Sequence, residues 1–421
     1  MKTLQVFLHG VADHSIQVGR LAYKDGLSHL ELDKDFLDLG INISPINLKL
    51  DSKLQIAPRA PFNGLHGVFA DSLPDGWGLL LMDRRFRQRN IGLEAVTPLT
   101  RLAYMGDRAM GALSYQPDFD DDNTIPDDEI LSLTSLAEDS LCVYEGSVKE
   151  VTERLHILGG SPGGARPKAT IGLNGETAIT DIGNLPANYE HWLVKFPTGK
   201  SREEQAEGTI EYIYSLMARS AGIQFPETRL IETHEGFAYF ACKRFDRGKD
   251  NNRIHMHTLA AMINADFRIP DADYGLLMKV TSHVTKSHAD MCEVLRRMIF
   301  NILSGNRDDH TKNFSFLMTP EGSWSLSPVY DVTFNTGVNG HHSMSIMGHG
   351  QKVPYAAIQK IADSIPLKKT QLNLMIDEIA ESLSQWKKLA EDHNIPFNIT
   401  KEIGNYIDEE LCRIDQEMRG A

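Results

Sequence analysis

The stretch SGNRDDHTKNFSF, residues 304–316, places carboxylate, amide and basic side chains close together between apolar neighbours. Asp308 follows an arginine and precedes Asn313 by five residues, which is the R-D-x-x-x-x-N interval of a phosphoryl-transfer loop. At this interval the Asp308 carboxylate can reach a hydroxyl group while Asn313 turns back to a magnesium ion on the phosphates. Lys312 can then neutralise charge on the transferring group. The alternative is a plain turn in which an aspartate is a cap and His310 packs.

A second metal-binding carboxylate follows eighteen residues after Asn313. The strand-like FSFLM and a turn precede SPVYDV, which contains Asp331. Because a magnesium ion keeps several waters and needs few protein ligands besides phosphate oxygens, Asn313 and Asp331 suffice to hold it. A zinc site is disfavoured, because carboxylates at matched spacing are missing around the histidines His255, His257, His341, His342 and His349.

A lysine at the end of a strand-like run is the predicted phosphate ligand. Lys195 lies in HWLVKFP, whose alternation points it away from Val194 and Phe196. Any solvent-facing lysine at a strand end has the same pattern. Glu211, sixteen residues later in a helical stretch, is a candidate ion-pair partner. The glutamates that compete with it are Glu203, Glu204 and Glu207.

The Gly-rich stretch GGSPGGARPK, residues 159–168, supplies backbone amides that can approach a phosphate without an obstructing Cβ. It matches neither G-x-x-x-x-G-K-[ST] nor G-x-G-x-x-G. Alone, such a stretch is more often a turn. Next to a lysine strand and a metal-binding loop, it favours a phosphate site.

These motifs lie in two kinds of sequence. Short strand-like runs occur in the first fifty residues and again from residue 151, while the pattern is helical from about residue 255 nearly to the end. A helix is predicted from about Trp77, capped by Ser72 or Asp75. Its predicted buried face comprises Leu79, Leu80, Met82 and Phe86. Helix core stripes are predicted at Leu372, Leu374, Ile376 and Ile379, and at Ile403, Ile407, Leu411 and Ile414.

With 421 residues the chain is too long for one ordinary core. We expect an N-terminal region at 1–125, a strand-rich lobe at 126–246 and a helical lobe at 247–421, with the acidic, proline-containing segment 118–129 as a linker. A small strand-rich lobe followed by a helical lobe is the layout of a nucleotide cleft.

Composition narrows the functional classes. A formal charge of −14 disfavours broad contact with nucleic acid, although the basic DRRFRQRN at 83–90 is either a solvated helix or a local contact surface. No segment has the apolar length of a membrane helix, and the N-terminal run alternates like a strand rather than a signal peptide, so we expect a cytoplasmic protein. Four widely separated cysteines are expected to be free buried thiols: Cys142, Cys242, Cys292 and Cys412.

In combination, the motifs resemble the HipA family of bacterial serine/threonine kinases, the toxins of toxin–antitoxin pairs. FNGLHGVFADSLPDGWG and RLAYMGDRAMGAL are similar to the family's N-terminal part, SPGGARPK to its phosphate loop, LVKFP to its lysine strand and KRFDR to its hinge. GNRDDHTKNFSF and SPVYDV are similar to its catalytic core. The resemblance covers nearly the whole chain. It implies an α+β, bilobal protein-kinase-like fold with a small β-rich N-lobe, an extra N-terminal subdomain and a large all-α C-lobe.

The resemblance also implies roles for individual residues. Asp308 is the catalytic aspartate, Asn313 and Asp331 are the magnesium ligands, and Lys195 is the ATP lysine. Further nucleotide contacts fall to Lys168, Gly163, Gly164, Ala165 and His310, and at the hinge to Lys243, Arg244, Phe245 and Asp246, the last near the ribose. Ser161 falls where family members autophosphorylate, an event that expels the loop and silences the kinase.

Two positions depart from the family pattern. Lys243 stands where a glutamate is frequent, and Asp309 stands where a glycine is common. Asp309 is therefore an alternative metal ligand, but Asp308 is favoured because it keeps the five-residue interval to Asn313.

The implied reaction uses ATP and Mg²⁺ and phosphorylates a protein, with an aminoacyl-tRNA synthetase as the implied substrate. The implied partner is a helix-turn-helix antitoxin, through which alone DNA is contacted. Two alternatives stay open: a small-molecule or lipid kinase with a similar acidic loop, and a catalytically silent nucleotide-binding corepressor. The intact set of Lys195, Asp308, Asn313 and Asp331 favours an active kinase.

Overall fold

The computed structural model describes residues 3–11, 14–119, 129–147, 151–159, 163–181, 183–232 and 238–420. The chain divides into two compact units. Unit one comprises Met1–Lys200, Ile231–Asn264 and Phe316–Trp324, and unit two comprises Ser201–Leu230, Ala265–Ser315 and Ser325–Ala421. Unit one contains both the N-terminal region and the Gly-rich sheet, so this division does not separate the first two ranges expected from the sequence. The three expected ranges stay a prediction.

The first sheet of unit one is built from the N-terminal strand-like runs. Its strands are β1 (Thr3–Leu8), β2 (Ile16–Lys24), β3 (Leu27–Leu32), β4 (Gln55–Ile56) and β5 (Leu113–Gln116). They pair antiparallel in the order β4-β3-β2-β1-β5. Leu4, Val6 and Leu8 of β1 are buried, which confirms the alternation predicted for LQVFLHG.

Four helices lie between β3 and β5 in the chain: α1 (Lys34–Asp38), α2 (Gly67–Ala70), α3 (Gly76–Gln88) and α4 (Pro98–Met105). The helix predicted from about Trp77 is α3, and Asp75 is its N-cap residue. Its buried face agrees with the prediction at Met82 and Phe86 and differs from it at other positions. Trp77 and Leu81 are buried, whereas Leu79 and Leu80 are only half-buried.

A second sheet carries the Gly-rich loop and the lysine strand. It comprises β6 (Lys168–Asn174), β7 (Thr177–Thr180), β8 (Glu190–Lys195), β9 (Thr228–Glu232) and β10 (Ala238–Lys243), in the order β7-β6-β8-β10-β9. Helices α5 (Leu133–Tyr144) and α6 (Glu153–Gly159) precede it in the chain. Trp192 and Val194 of β8 are fully buried in a core that also contains Trp77 of α3 and Leu155 of α6.

A smaller sheet has the order β11-β12-β13, formed by β11 (His255–Thr258), β12 (Ser315–Met318) and β13 (Trp324–Leu326). FSFLM, predicted to be strand-like, forms β12. The run SWSLSPVYDV, also predicted to be strand-like, is a strand only at Trp324–Leu326, which is β13. Helix α8 (Leu259–Met262) directly follows β11.

Unit two is mostly helical. Its helices are α7 (Arg202–Ser220), α9 (Tyr274–Thr285), α10 (His288–Ser304), α11 (Tyr355–Ala362), α12 (Lys369–Leu383), α13 (Trp386–Asp392) and α14 (Phe397–Gly420). α10 packs against α9, α12 and α14. The predicted core stripe of α12 is wrong at Leu374, which is 58% exposed, whereas Met375 is buried in its place.

The predicted state of the cysteines is confirmed in part. All four are free thiols. Only Cys242 is buried, however, since Cys142 and Cys412 are exposed and Cys292 is half-buried. Among the residues that the structure describes, no helix combines the length and the apolar character that a membrane span requires.

Candidate functional site

The Gly-rich loop of unit one is held by the start of α3. The Asp75 carboxylate accepts a hydrogen bond from the Gly164 backbone N–H and makes no side-chain cap on the helix. The Trp77 N–H donates to the Gly164 carbonyl at 2.9 Å, and the Trp77 indole donates to the Lys168 carbonyl at 3.1 Å. Gly164 has a φ of +96°, a conformation that favours glycine. The segment between Gly164 and Lys168 is therefore anchored at both ends.

Two lysines lie opposite each other on the second sheet. Lys168 of β6 and Lys195 of β8 are direct partners across the antiparallel ladder, and both are buried. The Lys168 Nζ donates to the Gly163 carbonyl at 2.7 Å, and the Lys195 Nζ lies 5.8 Å from the centre of the Phe240 ring. Direct cross-strand partners share one face of a sheet, and like charges there destabilise it.

The other loop residues that were predicted to contact the nucleotide differ in their exposure to solvent. Gly163 and Ala165 are exposed, and Gly164 is half-buried. Ser161, the predicted autophosphorylation site, lies outside the described residues.

A buried ion cluster anchors the segment after β10 that was predicted to be the hinge. Asp246 accepts hydrogen bonds from Arg244 at 2.8 and 3.0 Å, from Arg247 at 2.8 Å and from the Gly111 N–H at 2.7 Å. Arg244 also contacts Asp181 at 3.4 Å. Although burial opposes ionisation, Arg244 and Arg247 hold the pKa of Asp246 well below its ordinary range. Burial, followed by repulsion from Arg244, lowers the pKa of Arg247 to about 9.

This cluster was not predicted from the sequence. Asp246 was predicted to lie near the ribose. Its carboxylate is only 1% exposed and is hydrogen-bonded to two arginines and a backbone amide. The ribose role therefore stays a prediction. Lys243 forms an ion pair with Glu190, and Phe245 is half-buried. The arginines within KRFDR were a signal for a buried carboxylate, although their partners in unit one are distant in sequence.

In unit two, the predicted catalytic loop follows α10. The helix ends at Ser304, and Gly305, with a φ of +75°, turns the chain into the loop. The Asp308 side chain is 50% exposed, whereas Asn313 is buried. The Asn313 Nδ2 donates to the Asp308 carbonyl at 2.7 Å. This hydrogen bond holds the two residues in one turn and leaves the Asn313 amide oxygen as a group that can bind a cation.

Tyr330 joins the second predicted metal ligand to this loop. Its hydroxyl donates to the Lys312 carbonyl at 2.6 Å and is hydrogen-bonded to the Ser315 hydroxyl. Asp331 follows Tyr330 and has a φ of +57°, which residues other than glycine adopt mainly at turns or functional positions. Asn313 and Asp331 thus lie on segments that are hydrogen-bonded to each other.

Their oxygen donors fit Mg²⁺, which binds proteins through one or two carboxylates and keeps several waters. Among the described residues, no group of three or more histidine, cysteine, aspartate or glutamate side chains is arranged to hold a metal ion. His255 donates to the Ile43 carbonyl at 2.9 Å, and His257 contacts Asp71 at 2.7 Å, so both are hydrogen-bonded core residues.

Two basic side chains near Asp308, those of Lys312 and His310, lie against the ring of Phe267. The Lys312 Nζ lies 4.8 Å from the centre of the Phe267 ring, and the His310 ring centre lies 5.1 Å from it. The His310 Nε2 is 3.9 Å from the Asp308 carboxylate. Phe267 was not singled out in the sequence, because no local pattern connects it to a loop forty residues away.

The structure places two acidic residues whose predicted roles had alternatives, Asp309 and Glu211. Asp309 is 1% exposed and accepts hydrogen bonds from three groups, so its carboxylate differs sharply from that of Asp308. Glu211 is buried within α7, whereas Glu203 is exposed and Glu204 completes a capping box with Ser201. The role of Glu211 as a lysine partner stays a prediction.

The sequence of this chain is similar to those of known protein families and of named relatives. A family model described as the HipA N-terminal domain matches residues 4–116, and one described as the HipA-like C-terminal domain matches residues 160–386. A Sinorhizobium fredii protein named "Putative kinase Y4dM" is 26% identical over 225 residues, which are 49% of this chain and 53% of that protein. A Haemophilus influenzae protein named "Putative kinase" is 29% identical over 135 residues, 29% of this chain and 39% of that protein. The chain therefore spans about half the length, or less, of these relatives.

A solved structure extends the comparison to the whole chain. The HipA of the Shewanella oneidensis MR-1 toxin–antitoxin system, determined with HipB and its operator DNA, matches with a TM-score of 0.70 and 16% sequence identity. The match covers 99% of each chain. At this identity the likeness shows the fold, and it confirms the predicted α+β class.

Proposed function

The chain belongs to the HipA family, and we propose that it is a kinase that transfers the γ-phosphoryl group of ATP, with Mg²⁺, to a serine or threonine hydroxyl of a protein. The observation that carries this proposal is the 2.7 Å hydrogen bond from Asn313 to the Asp308 carbonyl. It unites the proposed proton acceptor and a proposed metal ligand in one turn. The hydrogen bond from Tyr330 to the Lys312 carbonyl adds Asp331 to this set.

In the proposed reaction the substrate hydroxyl oxygen forms a bond to the γ-phosphorus, and the bond from that phosphorus to the bridging oxygen of ATP breaks. Asp308 accepts the hydroxyl proton, and its half-exposed carboxylate suits this role. Lys168, Lys195 and the amides around Gly164 bind phosphate oxygens. Mg²⁺, when bound, neutralises charge on the phosphates. Positioning and charge neutralisation supply most of the rate enhancement.

The proposed protein substrate is an aminoacyl-tRNA synthetase, and the proposed partner is a helix-turn-helix antitoxin. The Shewanella HipA was determined with HipB and operator DNA, which supports an antitoxin as a partner of this chain. A net charge of −14 suits a protein that reaches DNA only through such a partner. Autophosphorylation at Ser161 is the proposed means by which the kinase is silenced.

The test is phosphate transfer from labelled ATP, with Mg²⁺ and a cell lysate, by the wild-type chain and by Asp308→Asn. We expect a labelled protein with the wild type. The variant should lose at least about a hundredfold in rate, the lower range for a general base, and should still bind ATP. Asp392→Asn, at an exposed position of α13, is the matched control and should keep full activity.

Other outcomes would decide against the proposal. Label in a small molecule or lipid instead of a protein would make the chain a different kind of kinase. ATP binding without any transfer would favour a silent nucleotide-binding corepressor, and full activity of Asp308→Asn would overturn the assignment of the base. Mass spectrometry of the intact protein before and after phosphatase treatment tests whether Ser161 carries phosphate.

A further inference from the structure

Asp309 lies beside the proposed catalytic carboxylate but in an opposite environment. It is buried, and its Oδ2 accepts hydrogen bonds from the Tyr274 hydroxyl at 2.7 Å and from the His342 Nδ1 at 2.9 Å. Its Oδ1 accepts the Ser343 backbone N–H at 2.8 Å. Because a carboxylate only accepts hydrogen bonds, the His342 Nδ1 is the donor in this contact. Asp308, one residue earlier, remains half exposed.

The three donors to Asp309 come from separate parts of unit two. Tyr274 begins α9, while His342 and Ser343 lie in the segment after Asp331. A buried carboxylate with three donors is stable only while those segments keep their places. Asp309 therefore connects the catalytic loop to a helix and to the downstream segment at a single point.

Further hydrogen bonds extend this connection. The Tyr274 hydroxyl accepts from the Asn301 Nδ2 at 3.0 Å, and the Asn301 Oδ1 accepts from the Asn306 Nδ2 at 3.0 Å. The Ser343 hydroxyl donates to the Arg307 carbonyl at 3.0 Å. The residues on both sides of Asp308 are thus held in one buried polar network.

We infer that Asp309 is a positioning residue of the proposed kinase: through Tyr274, His342 and Ser343 it holds the catalytic loop in the conformation that presents the Asp308 carboxylate. This role rests on the proposed function. A metal ion at Asp309 would have to share this carboxylate with the three donors that already occupy both of its oxygens.

The test compares Asp309→Ala, Asp309→Asn, Tyr274→Phe and the matched control His341→Ala in the full-length chain. His341 is the exposed neighbour of the buried His342. Asp309→Ala should lower kcat by roughly 10- to 100-fold, the effect of a misplaced catalytic group, while the KM for ATP changes less than about threefold. Asp309→Asn keeps an acceptor for the Ser343 amide and should retain more activity than Asp309→Ala. Tyr274→Phe removes one donor and should lose about two- to tenfold in kcat.

Hydrogen exchange of the backbone amides at 342–345 provides a readout that does not depend on activity. Exchange should accelerate in Asp309→Ala and stay unchanged in His341→Ala. Unchanged exchange in a folded Asp309→Ala protein, or a wild-type kcat in that variant, would overturn the inference. A wild-type chain that transfers no phosphate would instead refute the proposed function, so the two failures are distinguishable.

Discussion

Gly164 has two properties that a larger residue would lack: its backbone conformation and the space it leaves for Lys168. Its φ of +96° favours glycine, and a Cβ at this position would collide with the Lys168 ammonium group. We expect Gly164→Ala to weaken ATP binding by about tenfold, because the displaced lysine loses a charged hydrogen bond worth about 1.5 kcal/mol. The strained backbone should lower the free energy of unfolding by about 1 kcal/mol. Calorimetric titration with ATP and urea unfolding measure the two effects.

Gly175 offers a matched control for the backbone effect. It lies in the turn between β6 and β7 with a φ of +58°, and no described atom lies within 4 Å of a Cβ built there. Gly175→Ala should therefore lose similar stability and bind ATP like the wild type. Equal ATP affinity in both variants would show that Lys168 does not bind the nucleotide.

Residues with local signals could be predicted from the sequence, whereas buried partners could not. The interval from Asp308 to Asn313 spans a single turn, and the structure joins these residues by one hydrogen bond. No motif of this kind in the neighbouring sequence indicates that Asp246 or Asp309 is buried. Their partners include Gly111 and His342, which are 135 and 33 residues away, so only the tertiary structure reveals that both carboxylates are buried.

Among the elements, α3 positions the Gly-rich loop through its N-cap residue. Because the Asp75 carboxylate binds the Gly164 amide, Asp75→Ala should free the loop. We expect the KM for ATP to rise about three- to tenfold, since a hydrogen bond to a charged group contributes about 1.5 kcal/mol or slightly less in a flexible loop. Steady-state kinetics and hydrogen exchange at 163–168 test this.

The N-cap aspartate of α1 is the matched control. The Asp33 side chain accepts the Asp35 backbone N–H at 3.0 Å and so caps its own helix. Asp33→Ala should cost about 1 kcal/mol of stability and leave the KM for ATP unchanged. An unchanged KM in Asp75→Ala would mean that the loop is held by other contacts.

Elements were predictable where their own periodicity decides burial. β1 alternates because one face covers a core, and this pattern is visible in LQVFLHG. The buried face of α3 was predicted correctly at Met82 and Phe86. The prediction missed Trp77 and Leu81, because they pack into the core of the second sheet, whose strands come almost a hundred residues later. Leu374 of α12 fits a helical stripe but is exposed, since burial depends on which neighbours the helix meets.

At the scale of the whole molecule, buried histidines make stability depend on pH. Burial lowers the pKa of His66 and His255 to about 4 and that of His156 to about 3, from 6.5. In the unfolded chain these rings take up protons below about pH 6.5, whereas in the folded chain they stay neutral. Stability is therefore present above pH 6.5 and is lost as the pH falls towards 4. Each ring should cost about 2 kcal/mol by pH 5, measured as urea unfolding at pH 7.5, 6 and 5.

His156 tests this prediction because neither ring nitrogen has a hydrogen-bond partner among the described residues. His156→Met should flatten the loss of stability between pH 7.5 and 5 by about 2 kcal/mol, and the exposed His283→Gln should leave it unchanged. The buried carboxylates affect stability in a lower pH range than the histidines do. Against the effect of burial, Arg244 and Arg247 hold the pKa of Asp246 below 3.8, and the hydrogen bond from His191, followed by Arg244, does so for Asp181. The stabilisation from these carboxylates is therefore lost only below that pH. An equally steep loss in His156→Met would assign the acid sensitivity to other groups.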